Sequence, residues 1–514
     1  MPHKQEQEAW ATPPARDAFA REYAIARSMS TNAASLRRML PLLASVLCVY
    51  AASLRGGYLN WDDPWLVSQN KYFLHPTLGG LWKIWTNFSN SVRYDLGAEF
   101  LPVRDTTFWL EAVLYRPGPT FSRLFQLTLY AGALLRFREF LRVCTGKAIV
   151  ADIAIWFFAL HPVHVEIVAW LSARKDVLSL FFCAASLDLY SRSPERARAI
   201  TLLCALASLS KASSIVLPLL LLVADLMQAR RPAWRTVVGS LLIACTLGFV
   251  QMRVGQSIGM LTGFAGGSRS SAIYTEGAVL LRYLKFCVWP QGLSLIHDVI
   301  PSARWTLQTT LGFGTLLSWL TLALWSRQRI LLSAWLLFVL PLLPTMNALI
   351  PIQNLMADRY IALSLMGPAL VFATLVANLG DVPRWVVSGC TFASLAAISG
   401  YRANLFASSV PVLEEAVLHS PDSRRAAFQL GKAYEEVGRV DDALRAYRDA
   451  SRRAAGDDEA PIRAVIALTR LEDARGNRAV AKRELEAALQ RWPKDTRLRR
   501  RQRLLAPTPA AFTD

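Results

Sequence analysis

From about residue 39 to residue 401 the chain alternates apolar runs with short polar joints, whereas both ends are charged and lack such runs. The apolar runs fall near 39–55, 121–141, 148–161, 175–190, 198–212, 213–227, 236–253, 274–290, 307–325, 330–346, 359–378 and 384–401. A helix needs about 20 apolar residues to cross a bilayer, and several of these runs are shorter. The pattern predicts an all-α fold whose main part is a polytopic bundle of transmembrane helices.

Positive charge orients that bundle, because short cytoplasmic loops carry the excess of Arg and Lys. Arg37-Arg38 put the polar segment 1–36 in the cytoplasm and send the loop 56–120 outward. Arg136, Arg138, Arg142 and Lys147 mark the next cytoplasmic turn, and Arg192 to Arg198 and Arg230 to Arg235 mark two more. Arg327 and Arg329 fit the cytoplasm only if one candidate between 198 and 290 re-enters or merges with a neighbour. That leaves about eleven spans and an outward C-terminal region; twelve would return it to the cytoplasm. Met39 to Leu54 is longer than most signal-peptide cores and no small-residue cleavage site follows, so it reads as an uncleaved first span.

Beyond about residue 403 the pattern changes to charged helix rich in Ala and Leu. Leu430, Gly431, Tyr434, Gly438, Ala443, Tyr447 and Ala450 in 424–455 have counterparts in 462–493, namely Leu468, Gly476, Ala481, Leu485, Ala488 and Pro493. Gly438 to Gly476 and Ala443 to Ala481 are both 38 residues apart, the 34-residue tetratricopeptide period plus a short insertion. A half repeat from Leu405 to Pro421 precedes them. Residues 403–495 are therefore expected to form tetratricopeptide-like repeats, and 496–514 a basic disordered tail.

Composition supports the division. The chain of 514 residues is 53% hydrophobic and only 18% charged, against about 25% in soluble domains, and mean hydropathy is +0.28. Its net charge of +19 sits largely in clusters between apolar runs, which is the membrane pattern and argues against nucleic-acid binding. The seven cysteines are scattered without metal-ligand spacing, so neither a disulfide nor a zinc site is expected.

Candidate chemistry collects at the outward joints. Asp62 and Asp63 lie in Gly56-Gly57-Tyr58-Leu59-Asn60-Trp61-Asp62-Asp63-Pro64-Trp65, just past the first span. One carboxylate could accept a proton while the other binds a cation or orients an acceptor; an ordinary Asp-Asp-Pro turn is the competing reading. The second constellation is His161, His164 and Glu166, followed by Trp170, Arg174, Lys175 and Asp176. Ionisable residues at membrane depth cost roughly 2.5–3.5 kcal/mol each, so they serve a site or a pair. Two His and a Glu suit a divalent metal in kind, but their offsets of three and two fit neither a helix face nor a strand face. Arg174 and Lys175 suit a phosphate, or else snorkel to the interface. Ser210-Lys211, His297-Asp298 and Asp358-Arg359 place further charge beside the same face, the last also reading as an ion pair.

The early Asp-Asp, the stretches HPVHVEIVAWLSARKDVLS and LSKASSIVLPLLLLVADL, the ADRY segment and the trailing repeats together resemble one family. The chain looks like a bacterial relative of the transmembrane and tetratricopeptide-repeat-containing O-mannosyltransferases, which have the C-type glycosyltransferase (GT-C) fold. The similarity runs from about residue 39 to 495, with 37–402 as the GT-C-like domain. It departs from the family's pattern at Gln126 to Tyr130, at Arg136 and Arg138, and over Phe100 to Asp105.

The resemblance implies a multi-pass enzyme of the cell inner membrane, with its repeats in the periplasm. Such an enzyme takes a sugar from a polyprenyl-phosphate-linked donor and moves it to an acceptor hydroxyl on the non-cytoplasmic face. By that likeness Asp62 and Asp63 are the catalytic carboxylates, and Arg174, Lys175 and Arg359 hold the donor phosphate. His161, His164, Glu166, Asp176, His297, Asp298 and Asp358 then line the substrate pocket. The expected partners are the lipid-linked donor, membrane lipids, and a protein or glycan acceptor held by the repeats. Two other readings compete: a non-catalytic scaffold recruiting partners through its repeats, and a transporter or lipid-linked polysaccharide polymerase or ligase.

Overall fold

The computed structural model describes residues 37–115, 118–260, 263–452 and 459–505, so the expected cytoplasmic segment 1–36 lies outside the described residues. Two units divide the chain, Met1–Cys48 and Val49–Asp514. In the first, residues 37–48 are helical. The second continues that helix, α1 (Arg37–Leu54), and every regular element described after it is also a helix.

Short helices fill the loop that follows: α2 (Lys71–Leu74), α3 (Leu78–Thr86), α4 (Asn90–Asp95) and α5 (Pro102–Tyr115). The apolar part comprises α6 (Pro119–Thr145), α7 (Ala148–Leu160), α8 (Val165–Ala169), α9 (Arg174–Arg192), α10 (Ala197–Ser210), α11 (Leu217–Gln228) and α12 (Trp234–Ile258). It goes on with α13 (Arg269–Val288), α14 (Leu307–Trp325), α15 (Arg329–Val339), α16 (Met366–Ala377) and α17 (Asp381–Leu405). The C-terminal helices are α18 (Ser409–His419), α19 (Arg424–Glu436), α20 (Val440–Arg452), α21 (Glu459–Ala474), α22 (Arg478–Arg491) and α23 (Thr496–Leu505).

Among the described residues three helices, α1, α12 and α14, are long and apolar enough to cross a membrane. A fourth span forms if α7 and the segment Pro162–Ala169 count as one, bent by 51°. The runs at 197–210, 212–228, 329–345 and 366–377 make shorter apolar helices. Against the eleven expected, the difference is one of length and charge. The long helices α6 and α9 carry charge that is taken up inside the protein: Arg138 binds Asp152 at 2.6 Å, and Asp188 accepts from Arg136 at 3.3 Å and from Arg192.

Helix boundaries follow local chemistry. Pro119 opens α6, where a missing N–H costs nothing, and Gly146 closes it with φ 67°. Ser268, Thr306 and Ser423 cap α13, α14 and α19 by accepting an N–H from the first turn. The α13–α14 crossing is close enough that a Cβ on Gly312 would sit 1.9 Å from the Gly277 carbonyl oxygen, so only glycine permits it.

The C-terminal helices stack in chain order, each against the next. Small residues make that possible: Ala427, Ala443, Ala450 and Ala464 pack with Phe428, Tyr447 and Leu468. Gly438 and Gly476, the periodic glycines, take equivalent turns with φ 75° and 82°. The segment expected to be a disordered basic tail is helical over α23, because Leu498 and Leu505 are buried against Ile462, Val465 and Leu485. Residues 506–514 lie outside the described residues.

This stack is joined to the loop after α1. A Cβ on Gly56 would fall 2.5 Å from the carbonyl oxygen of Ala407, and the Asn60 N–H donates to Ser409 Oγ at 2.8 Å. Gly56→Val should therefore cost about 1–3 kcal/mol by overpacking. A clear fall in Tm in detergent is the expected result, and an unchanged Tm would show that the backbones separate at no cost.

Candidate active site

The site begins with two glycine carbonyls. Arg123, on α6, is buried and donates to the oxygens of Gly56 and Gly57 and to that of Ala169 at 3.0 Å. It clamps the loop after α1 to the joint after α8. Six residues beyond Gly57, Asp63 is fully buried. One of its carboxylate oxygens accepts the Leu59 N–H at 2.8 Å, and the other accepts the Ser172 N–H at 3.0 Å and the Ser172 hydroxyl at 2.5 Å. Burial pushes the Asp63 carboxyl up, against the pull of those three donors. Asp63 is thus a brace between two joints.

Its neighbour faces the other way. Asp62 is half-buried and lines a cavity of about 200 Å³ together with Trp61, Trp170, Asp298, Arg359 and Arg425. Burial raises the Asp62 carboxyl above the usual range. Arg425, Arg359 and Lys175 oppose that rise, while Glu99 adds to it.

Arg359 reaches this cavity because Glu166 holds it twice: the carboxylate accepts the Arg359 backbone N–H at 3.1 Å and also takes its guanidinium. The guanidinium lies 5.7 Å from the Trp170 ring and 5.4 Å from that of Tyr360. The next residue back, Asp358, is buried. It accepts the Ser294 N–H at 2.9 Å and pairs with His297 at 2.7 Å and Arg402 at 3.3 Å. Asp358 therefore ties the loop after α13 to α17. His297 and Asp298 both touch the cavity, and the Asp298 N–H is fixed by Ser420 Oγ at 3.2 Å.

Several expected pocket residues lie elsewhere. Arg174 is fully buried, bound to Glu111 and to the Ser122 carbonyl at 2.9 Å, with its guanidinium 4.2 Å from the Phe108 ring. It is packed away from the cavity, because a carboxylate and the rings of Phe108 and Phe125 satisfy it where it stands. Lys175 binds both oxygens of Glu99, at 2.7 and 2.9 Å. With Arg104 it outweighs burial and holds Glu99 below the usual carboxylate range. Asp176 pairs with Lys211 at 2.6 Å beside a second, smaller cavity of about 20 Å³ that Arg359 and Tyr360 also border. His161 and His164 are buried in the bend after α7, where the His164 ring lies 4.2 Å from Phe158 and its Nε2 meets the Ala362 carbonyl at 3.1 Å. Among the described residues no three His, Cys, Asp or Glu side chains gather as a metal site.

Three contributors were not singled out from the sequence. Arg123 could have been noticed as a cation inside an apolar run, and Ser172 lay within a stretch already marked by its charges. Arg425 gave no signal, since an arginine at the start of an amphipathic helix reads as solvated surface.

Comparison with known proteins adds one finding. A protein O-mannosyl-transferase of Caenorhabditis elegans is 25% identical to this chain over 238 residues, which is 43% of this chain and 32% of that protein. This chain therefore spans less than two thirds of that relative's length. No family model matches the chain, and no solved structure does so at a significant level. The likeness is a distant relation to a glycosyltransferase. Several apolar helices able to span a membrane accompany it, as in a membrane protein.

The two adjacent carboxylates are expected to separate by stability. Asp63→Ala strands two backbone N–H groups and a hydroxyl and should cost about 3 kcal/mol or more. Asp62→Asn removes no such contact and should leave Tm in detergent where it was. Equal melting of all three proteins would contradict the division of labour.

Proposed function

We propose that this chain is a membrane glycosyltransferase that moves a hexose from a polyprenyl-phosphate-linked donor to an acceptor hydroxyl on the non-cytoplasmic face. Asp62 is the general base. It takes the proton of the acceptor hydroxyl as that oxygen attacks the anomeric carbon. The bond from that carbon to the phosphate oxygen breaks with inversion, and polyprenyl phosphate leaves. Arg359 meets the charge that develops on the phosphate. Glu166 acts as its positioning residue, holding the guanidinium ready before charge appears.

The observation that carries this reading is that Asp62 and Arg359, distant in the chain, line one cavity. A base and a cation on shared walls are what phosphate displacement by a hydroxyl needs. The distant likeness to a protein O-mannosyl-transferase points the same way.

In this reading residues 37–402 are the GT-C-like domain, with one of the twelve apolar runs re-entrant or merged with a neighbour so that about eleven spans result. Residues 403–495 are tetratricopeptide-like repeats that share the periplasm with Asp62 and hold a protein acceptor. Supporting the acceptor role, a groove leaves Asn60 and Trp61 and passes Lys432 and Glu436 to Tyr447, Arg463 and Arg470. Its two parts enclose about 600 and 490 Å³.

The test is transfer of labelled mannose from polyprenyl phosphate to a Ser/Thr-containing peptide by the full chain in detergent. Asp62→Asn should reduce the rate by about 10²–10⁴, and Arg359→Gln by about 10²–10³. Full transfer by Asp62→Asn would overturn the reading. Because a base works only when deprotonated and burial raises Asp62, the rate should fall on acidification at a higher pH than for an exposed aspartate. A profile flat through the weakly acidic range would count against Asp62.

A further inference from the structure

The cavity has a wall that the membrane helices do not supply. Ser423, Arg424 and Arg425, at the start of α19, face Asp62 and Arg359 across it. The Arg425 guanidinium lies 4.7 Å from the ring of Trp61, the residue next to Asp62, and donates to Asn354 Oδ1 at 3.1 Å. It thus spans from the loop after α1 to the loop before α16.

We propose that Arg425 is a positioning residue for the Asp62 base, so that the C-terminal stack is part of the catalytic centre as well as an acceptor platform. This rests on the reading of Asp62 given above. Two further observations support it.

The start of α19 is fixed from the site side. Ser420 donates to the Ile296 carbonyl at 3.1 Å and accepts from Asp298, both on the loop that lines the cavity. Arg402 binds Glu415 at 2.9 Å, so α18 is held to α17 just before α19 begins. Arg425 is therefore delivered by contacts with the site itself.

Charge accounting agrees. The groups facing Asp62 are Arg425, Arg359, Lys175 and Glu99, with Lys432 further along α19. Of those that oppose the effect of burial on Asp62, Arg425 weighs most. Its loss should therefore leave the base protonated up to a higher pH.

The experiment compares the full chain with Arg425→Gln and Arg425→Lys, using polyprenyl-phosphate mannose and a short Ser/Thr peptide from about pH 4.5 to about 8.5. Arg425→Gln should move the acid limb of kcat/KM upward by about half a pH unit or more, with transfer recovering at high pH. Arg425→Lys should keep the limb near its original position. An unmoved limb in Arg425→Gln, or the same displacement in both variants, overturns the proposal. Should Arg425→Gln fail to accumulate, Asn354→Ala, which removes one of the contacts that hold the guanidinium in place, should shift the limb in the same direction, and no shift is again fatal. Asp62→Asn serves as the control. A dead Asp62→Asn with an unmoved Arg425→Gln limb removes only this inference, whereas an active Asp62→Asn removes the underlying reading.

Discussion

A carboxylate taken out of water must find donors for both oxygens, and the arrangement around Asp63 is the result of meeting that requirement. Leu59 and Ser172 supply three hydrogen bonds, so the turn at 59–63 is pinned to the turn at 171–173. Adjacent residues in such a turn cannot point the same way. Once Asp63 faces inward, Asp62 is left on the cavity side. The pair therefore works as one device in which the buried member aims the open one.

The same logic recurs around the site. Glu166 does for Arg359 what Ser172 and Leu59 do for Asp63, using one backbone and one side-chain contact to remove its freedom. Asp358, His297 and Arg402 join three segments at one buried carboxylate. Buried ionic groups are poor sources of stability, since desolvation offsets much of the attraction. Their yield here is orientation: each buried charge leaves one neighbour, Asp62 or Arg359, with a defined direction and access to the cavity.

Much of the architecture was legible in the sequence because it depends on patterns that a chain displays directly. Apolar runs announced the helices, and glycines 38 residues apart announced equivalent turns in the stack. The Asp-Asp pair and Arg359 could be chosen as candidates because charge beside apolar runs is costly. What could not be read was which charges were already satisfied. Arg174 and Arg359 look alike in sequence, yet one is enclosed by Glu111 and Phe108 and the other borders the cavity. His161 and His164 suggested a site by their depth, and they lie instead against the rings of Phe157 and Phe158 in the bend after α7. Arg425 was hidden for the opposite reason, since its helix shows an ordinary amphipathic pattern and only tertiary contact brings it to Asp62. The tail over α23 was misjudged because two leucines, not its arginines, decide its fate.

The order of these residues along the chain has a consequence for biosynthesis. Asp62 is made early, Arg359 late, and Arg425 only after the last apolar segment has been synthesised. A nascent chain halted anywhere in between has a carboxylate facing a chamber that lacks one side. The chamber is therefore closed only once a segment beyond the last apolar run has folded back onto the loop that carries Asp62.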